Sequence, residues 1–284
     1  MRTKIGVLLF VGILLLGLAA CGDDDGAATT AGGSCAPGDL ALVDPGFLTI
    51  ATGDPAFPPW VIEDDPTNKQ GFEGALAYAI AAELGFSDEQ VKWVRTGFDE
   101  AIQAGPKSFD FNLQQYSITA ERDEVVDFSI GYYTVQQALV AYADSPVLNA
   151  TTAADLKAFR LGAAIGTTSF DYIEQVIQPS TPASAYDTNA DAKSALDARQ
   201  IDALVFDLPT AFYITGVEIP EATIVGVLQA PGGEAEELGF LFADGSPLVV
   251  CVNRALQALI DDGTLAALQA QWIAGPGALK VITP

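Results

Sequence analysis

The stretch SITAERDEVVDFSIGYY, residues 117–133, places one arginine among four acids. Arg122 lies between Glu121 and Asp123, and two further acids follow closely. It either forms local ion pairs, which are worth roughly 0–1 kcal/mol when exposed, or is reserved for an anion from outside the chain. A guanidinium suits the second role, because its planar donors bind two carboxylate oxygens at once. The chain has only 13 Lys and Arg against 37 Asp and Glu, so the choice bears directly on function.

Residues that commonly carry catalysis are scarce in the sequence. There is no histidine, which excludes Ser-His-Asp and Cys-His arrangements and the commonest zinc ligands. The glycine-rich spots at 32–33 and 231–234 are isolated, so no phosphate-binding loop is formed. Carboxylates are plentiful, but their number alone assigns no acid and base pair. We predict no catalytic residue, no metal site and no cofactor.

Length and charge exclude further classes of protein. The chain has 284 residues, half of them hydrophobic, which is enough for about two globular domains. Its net charge of −24 and its lack of a basic tract argue against nucleic acid as a partner, because phosphate neutralisation needs clustered Lys and Arg.

The N-terminus has the pattern of an export signal. Arg2 and Lys4 precede the apolar run 5–20, as in the n-region and h-region of a secretory signal peptide. A membrane-spanning anchor is the alternative, because the run approaches spanning length. The ending LAAC at 18–21 resembles a bacterial lipobox, which favours a signal peptide at 1–20 and lipidation of Cys21, for example by palmitate.

The residues that follow predict a tether and a disulfide. Residues 21–38 are rich in Gly, Ala, Thr and Asp, which is typical of a flexible linker. We therefore predict an extracytoplasmic protein held on the bacterial cell membrane by its lipid. Cys35 and Cys251 remain in the mature chain, and an oxidising compartment favours a bond between them. Two unpaired buried thiols are the alternative.

The body alternates strands with helices, which indicates an α/β fold with parallel strand pairing. In the first series we predict strands at 46–52, 90–96 and 109–117 and helices at 73–85 and 98–105. An extended crossing segment follows. In the second series we predict strands at 160–166, 201–207 and 237–243 and helices at 152–160, 167–177, 190–200, 208–215, 247–263 and 264–275.

Five stretches resemble the family 3 solute-binding proteins of bacterial ABC importers: IATGDPAFPPW, GFEGALAYAIAAELG, FDEAIQAG, SITAERDEVVDFSIGYY and IDALVFDLPTAFY. The resemblance runs from about Phe47 to Trp272. It implies a two-lobe periplasmic-binding-protein fold with a ligand cleft between the lobes and two crossovers, near Tyr132–Gln136 and Glu234–Leu238. The implied domains are the signal peptide 1–20, the tether 21–38, lobe 1 at 39–133 and 239–284, and lobe 2 at 134–238.

The resemblance also implies roles for residues that grip a zwitterion. Arg122 matches the arginine that binds a ligand α-carboxylate, and Ser117 and the backbone of Gln115 would add donors. Thr168 resembles a second-lobe position whose backbone N–H completes the grip at a helix N-terminus. Asp207 matches the acid that binds the α-ammonium. Both charges need a partner, because either one buried alone would cost several kcal/mol.

Other matched positions would contact the ligand side chain. Phe57, Trp60 and Phe98 match aromatic wall positions, for which core packing is the alternative. Asp54 matches an acid that contacts a polar or cationic ligand end, and capping of the following turn is its alternative. Gln115 and Tyr116 replace smaller residues of relatives, so the pocket would be partly filled or gain amide contacts.

The resemblance implies a monomeric, non-enzymatic lipoprotein that captures a polar or basic L-amino acid and delivers it to a membrane permease. Acidic amino acids are disfavoured, because neither a lysine nor a second arginine lies near the matched pocket. Two alternatives stay open. One is an enzyme on the same scaffold, similar to cyclohexadienyl or prephenate dehydratases, with Asp54 or Glu73 as general acid. The other is a surface amino-acid sensor.

Overall fold

The computed structural model describes residues 34–233, 236–273, 275 and 278–284. The predicted signal peptide, the lipidation site Cys21 and most of the predicted tether lie outside these residues. Within the described part of the chain, no helix is both long and apolar enough to cross a membrane.

The strands and helices follow one another in two series. The strands are β1 (Leu48–Gly53), β2 (Val91–Thr96), β3 (Phe111–Asn112), β4 (Val126–Phe128), β5 (Tyr133–Val135), β6 (Gln137–Tyr142), β7 (Leu161–Ala164), β8 (Ser184–Tyr186), β9 (Ala203–Asp207), β10 (Ala222–Leu228), β11 (Glu236–Leu238), β12 (Leu241–Ala243) and β13 (Val281–Ile282). The helices are α1 (Phe72–Glu83), α2 (Phe98–Ile102), α3 (Thr168–Asp171), α4 (Asn189–Asp197), α5 (Leu208–Tyr213), α6 (Leu248–Asp261) and α7 (Thr264–Trp272).

The first sheet has the strand order β2-β1-β3-β12-β4. β1 pairs in parallel with both β2 and β3, which confirms the parallel pairing predicted for the first series. All six residues of β1 are buried, as expected for a strand with helices on its faces. Helices α1, α6 and α7 supply the apolar core of this sheet, for example through Leu76, Ile80 and Leu256.

The second sheet has the order β13-β10-β6-β9-β7-β8 and is built around β6. We predicted only an extended crossing segment there, but β6 pairs antiparallel with both β10 and β9. Its side chains alternate between two cores: Ala138 and Val140 face one, and Leu139 and Ala141 face the other. Strand β10 was missed from sequence. Strand β7 lies between β6 and β9 in the chain and pairs in parallel with β9.

Two further predictions need correction in detail. The predicted strand 237–243 is divided into β11, which pairs with β5, and β12, which lies in the first sheet. The prediction also assigned all of 239–284 to lobe 1, whereas β13 pairs in parallel with β10 of the second sheet. The chain end therefore returns to the second series after completing the first sheet.

The two predicted crossovers meet as a short antiparallel ribbon between the sheets. β5 and β11 pair Tyr133 with Leu238 and Val135 with Glu236. The backbone N–H of Tyr132 donates to the carbonyl of Leu238 at 2.8 Å, just outside the ribbon. The ribbon thus connects both chain passages where the resemblance places the hinge.

A disulfide joins Cys35 to Cys251 of α6, with 5.5 Å between the Cα atoms. This confirms the predicted bond. Cys35 packs against the core of the first sheet, so the predicted tether 21–38 is fixed at its last residues. The bond closes a sequence separation of 216 residues.

We expect removal of this disulfide to lower the free energy of unfolding by about 2–5 kcal/mol, since a long loop loses its constraint in the unfolded chain. Guanidinium unfolding of the Cys35→Ser, Cys251→Ser double variant, compared with the oxidised parent, measures the loss. Equal midpoints for the two proteins would contradict the expectation. The reduced parent provides a control, because it should match the double variant.

Candidate functional site

A cavity of about 100 Å³ lies between loops of the first and second sheets. A cavity of this volume holds several water-sized groups, because each needs about 10–15 Å³. Of the predicted site residues, it is lined by Asp54, Phe57, Phe98, Gln115, Ser117, Arg122, Thr168 and Asp207. Most of these follow the carboxyl ends of β1, β2, β3, β7 and β9, the edge at which open α/β sheets bind ligands.

Arg122 begins a short 3₁₀ turn, and its guanidinium points into the protein. The side chain of Thr119 accepts a hydrogen bond from its backbone N–H at 3.2 Å. The residue is 8% exposed, whereas Glu121 and Asp123 on either side are exposed. None of the ion pairs between residues that the structure describes includes Arg122. The fold therefore does not use Arg122 for local ion pairs with its neighbours.

The guanidinium of Arg122 connects the two sides of the cleft. Its Nη1 donates to the carbonyl of Ser117 at 2.7 Å, and its Nη2 donates to the carbonyl of Gly166 at 2.9 Å. Ser117 belongs to the first series and Gly166 to the second. These bonds use two of the five N–H donors of an arginine. Burial lowers the pKa of Arg122, and the nearby carboxylate of Glu236 opposes that shift; the group stays charged, since arginine titrates far above neutral pH.

An aromatic wall flanks this charge. The ring of Phe98 lies 5.4 Å from Cζ of Arg122, within the range of a cation–π contact. Phe98 in turn stacks on Tyr116 with 4.7 Å between ring centroids. Tyr116 is fully buried behind Phe98, and its hydroxyl donates to Oε1 of Gln114 at 2.9 Å. The large residue at position 116 thus supports the wall from behind.

Asp207 faces the cavity from the carboxyl end of β9. Its Oδ1 accepts a hydrogen bond from Nε2 of Gln137 at 2.9 Å. Burial raises the pKa of Asp207 to about 7, and the carboxylates of Glu236 and Glu73 add to that shift. A cation that approached Asp207 would lower this pKa again. The group is therefore suited to a positively charged partner.

The hydroxyls of Ser117 and Thr168 meet at an acid that sequence reasoning missed. Both donate to Oε1 of Glu236 in β11, Thr168 at 2.5 Å. Gln137, also missed, donates from Nε2 to both carboxylate oxygens of Glu236 at 3.4 Å. A polar pair, Gln136 and Gln137, inside an otherwise apolar segment was the available signal for Gln137. Glu236 lies in the segment where the resemblance places the second crossover, and nothing in the sequence marked it as a site residue.

Gln115 lines the cavity, but its predicted backbone donor is engaged elsewhere. Its φ of 54° turns the backbone N–H toward Oε1 of Glu73, at 2.9 Å. The Gln115 side-chain amide and the Tyr132 hydroxyl also donate to Glu73. Burial raises the pKa of Glu73 to about 7. The buried carboxyl of Glu73 thus connects two segments: the loop that contains Gln115 and Ser117, and Tyr132 at the start of the first crossover.

The structure does not bring Trp60 into the cavity. Trp60 is fully buried and packs on Phe72 and Tyr133 with centroid distances of 6.1 and 5.9 Å. Its Nε1 donates to Oγ1 of Thr210 in α5 at 2.8 Å. The alternative of core packing therefore holds for this residue. Phe57 is half-buried at the cavity wall and Asp54 is exposed beside it.

The cavity is negatively charged overall. Among the described residues that line it, Asp54, Asp187 and Asp207 carry carboxyl groups and Arg122 alone is basic. Across the described chain, no group of three or more Cys, Asp or Glu residues is arranged to hold a metal ion. What the arrangement can do is bind a small molecule with an anionic end at Arg122 and a cationic end at Asp207.

Two named amino-acid-binding proteins are similar to this chain in sequence. The L-cystine-binding protein TcyJ of Escherichia coli (strain K12) is 30% identical over 224 residues, which span 76% of this chain and 79% of TcyJ. The L-arginine-binding protein of Pseudomonas aeruginosa is 28% identical over 248 residues, 83% of this chain and 94% of that protein.

Solved structures share the fold. An ancestral arginine-binding protein bound to arginine is 29% identical, with a TM-score of 0.68 over 81% of this chain and 99% of that one. An ancestral amino acid-binding protein that is a precursor of cyclohexadienyl dehydratase is 28% identical, with a TM-score of 0.68 over 81% and 96%. The fold class predicted from the sequence is thus confirmed.

The family model for bacterial extracellular solute-binding proteins, family 3, matches residues 48–275. That span contains every residue named above as lining the cavity, and both strands of the hinge ribbon. The chain belongs to the family 3 bacterial extracellular solute-binding proteins.

Proposed function

We propose that this protein captures a polar or basic L-amino acid in the cleft and delivers it to an ABC permease in the membrane. The observation that carries the proposal is that Arg122 and Asp207 line one cavity from opposite sheets. A free amino acid carries one negative and one positive charge next to each other, and each charge then finds a partner of opposite sign. Relatives that bind arginine and cystine support the same ligand class.

The cleft geometry explains how binding would favour closure. Arg122 is held by the carbonyls of Ser117 and Gly166, one from each series, while Asp207 ends a strand of the second sheet. A ligand that pairs with Arg122 and Asp207 together binds the closed form better than an open one. It shifts the population by that difference in affinity. The permease would then recognise the closed protein.

Charge favours a basic or neutral side chain over an acidic one. Asp54 and Asp187 line the same cavity as Arg122 and Asp207. A guanidinium or ammonium at the far end of the ligand would be attracted to these carboxylates, and an acidic end would be repelled.

Anchoring and the absence of enzyme activity belong to the same proposal. The lipid on Cys21 would keep a monomer at the outer face of the membrane, beside its permease. A dehydratase would need a carboxylic acid that reaches its substrate. Glu73 instead bonds to Gln115 and Tyr132, which supports a structural role. A test for prephenate turnover separates the two functions.

A thermal-shift screen against the twenty amino acids identifies the ligand, since binding to the native state alone raises the melting temperature. With that ligand, we expect Arg122→Ala to weaken binding by at least about 100-fold, because the carboxylate loses a buried partner. Arg122→Lys should keep the charge but lose the planar fork, and weaken binding by roughly tenfold. Isothermal titration calorimetry measures both.

Arg199→Ala is the matched control for this pair of variants. Arg199 is exposed and pairs with Asp144 at 3.0 Å, so its loss should leave affinity unchanged. Circular dichroism verifies that each variant is folded. Tight binding by folded Arg122→Ala would contradict the proposed carboxylate clamp.

Affinity should also depend on pH through Asp207. With its pKa at about 7, Asp207 is protonated in acid and must lose that proton to pair with an ammonium. The dissociation constant should therefore rise as pH falls through 7, by about tenfold per pH unit and so roughly 100-fold between pH 8 and pH 5. Calorimetry across this range measures the effect.

Two variants assign this pH dependence. Asp207→Asn should bind weakly at every pH and show a flat profile. Glu73→Gln should keep the slope, because Glu73 has a pKa of about 7 but bonds to Gln115 and Tyr132 instead of lining the cavity. Its midpoint should move toward lower pH, because the Glu73 carboxylate contributes to the raised pKa of Asp207. A flat profile for the parent protein would refute the role of Asp207.

A further inference from the structure

Glu236 connects the second crossover to both sides of the cleft. It is the first residue of β11, and its Oε1 accepts hydrogen bonds from the hydroxyls of Ser117 and Thr168. Ser117 follows β3 of the first sheet, and Thr168 begins α3 of the second series. Nε2 of Gln137 in β6 adds weaker contacts at 3.4 Å. One carboxylate of the chain thus collects donors from three separate elements.

The hydroxyl of Ser117 is a donor that the ligand α-carboxylate also needs. The resemblance assigns it to that carboxylate, beside Arg122, together with the backbone N–H of Thr168, whose hydroxyl also donates to Glu236. A hydroxyl has one O–H to donate, so a hydroxyl that donates to Glu236 can only accept from another group. The ligand carboxylate would therefore have to displace Glu236 or bind without the Ser117 hydroxyl.

Charge adds to this competition. Among the acids around Arg122, Glu236 does most to raise the pKa of the guanidinium. A ligand carboxylate bound at Arg122 would thus lie close to a second carboxylate. Like charges placed together in a binding site repel each other and weaken binding. The neighbouring Glu237 differs, because its side chain is exposed.

We propose that Glu236 is a specificity-determining residue: a built-in carboxylate that competes with the ligand α-carboxylate for the Ser117 hydroxyl beside Arg122. It lowers affinity for the free amino acid relative to the same molecule with a neutral α-carboxamide. The inference rests on the proposed function, since it places the ligand carboxylate at Arg122. It concerns the choice between ligands with and without that negative charge.

The test combines a change in the protein with a matching change in the ligand. L-arginine and L-argininamide form one pair of probes, and L-glutamine and its α-amide form a second. Each is titrated by calorimetry into the full chain, Glu236→Gln and Glu237→Gln. Glutamine keeps the shape and one acceptor oxygen at position 236 and removes the charge.

We expect Glu236→Gln to bind the free amino acid about tenfold more tightly and to change the affinity for the amide by less than about threefold. Glu237→Gln should leave both unchanged. The ratio of the two affinities is the decisive quantity, because a merely structural role for Glu236 would move both ligands together. Circular dichroism verifies that the variants are folded.

Each outcome decides the inference. Equal changes for acid and amide, or selective weakening of the acid, would overturn the role of Glu236 and leave the proposed function intact, provided that the parent binds an amino acid. Binding of an amino acid by Glu236→Gln alone would support the competition. If no variant binds either pair of probes, or the amino acid found in the thermal-shift screen and its α-amide, the proposed amino-acid cleft fails, and the inference that rests on it fails as well.

Discussion

The cleft depends on keeping one buried guanidinium charged. An isolated charge removed from water costs far more than folding can supply, unless hydrogen bonds and opposite charges compensate it. Arg122 receives carbonyl partners from Ser117 and Gly166, so its solvation requires loops of both series to meet. Gly166 permits that approach: its φ is +72°, and a Cβ there would lie 1.8 Å from Oδ1 of Asp99. Arg122 therefore keeps both carbonyl partners only while the loops of the two lobes lie close together.

The hinge ribbon contributes to the site as well as joining the lobes. Tyr132, next to β5, donates to Glu73, which also holds the loop at Gln115. Glu236 of β11 bonds to Ser117 and Thr168. A change in the ribbon would thus move groups that line the cavity, and a ligand that alters those groups would act on the ribbon. Because hinge and site share residues, the proposed binding and closure would be coupled without a separate connecting path.

What could be predicted from sequence is what local pattern and family motif determine. The parallel β1, β2 and β3 follow from short apolar strands that alternate with helices, and the inward Arg122 follows from its motif. Strand β6 was hidden because a strand buried on both faces has no polar alternation. Trp60 could not be separated from a pocket aromatic, since its partner Thr210 lies 150 positions away. Glu236 is placed in the cleft by strand pairing with β5, which no local pattern encodes.

Glu236 also acts on both charged groups of the proposed site, Asp207 and Arg122, and its effects on the two ends of a ligand are opposite. Its negative charge raises the pKa of Asp207 and stabilises the charged form of Arg122. The same field attracts the ammonium end of a ligand and repels its carboxylate end. For a neutral amino acid these effects partly cancel, whereas a ligand with an additional cationic group gains from the field without an added penalty. An acid in the hinge would therefore bias the cleft toward ligands with more positive charge, even though it forms no direct ion pair with Arg122 among the described residues.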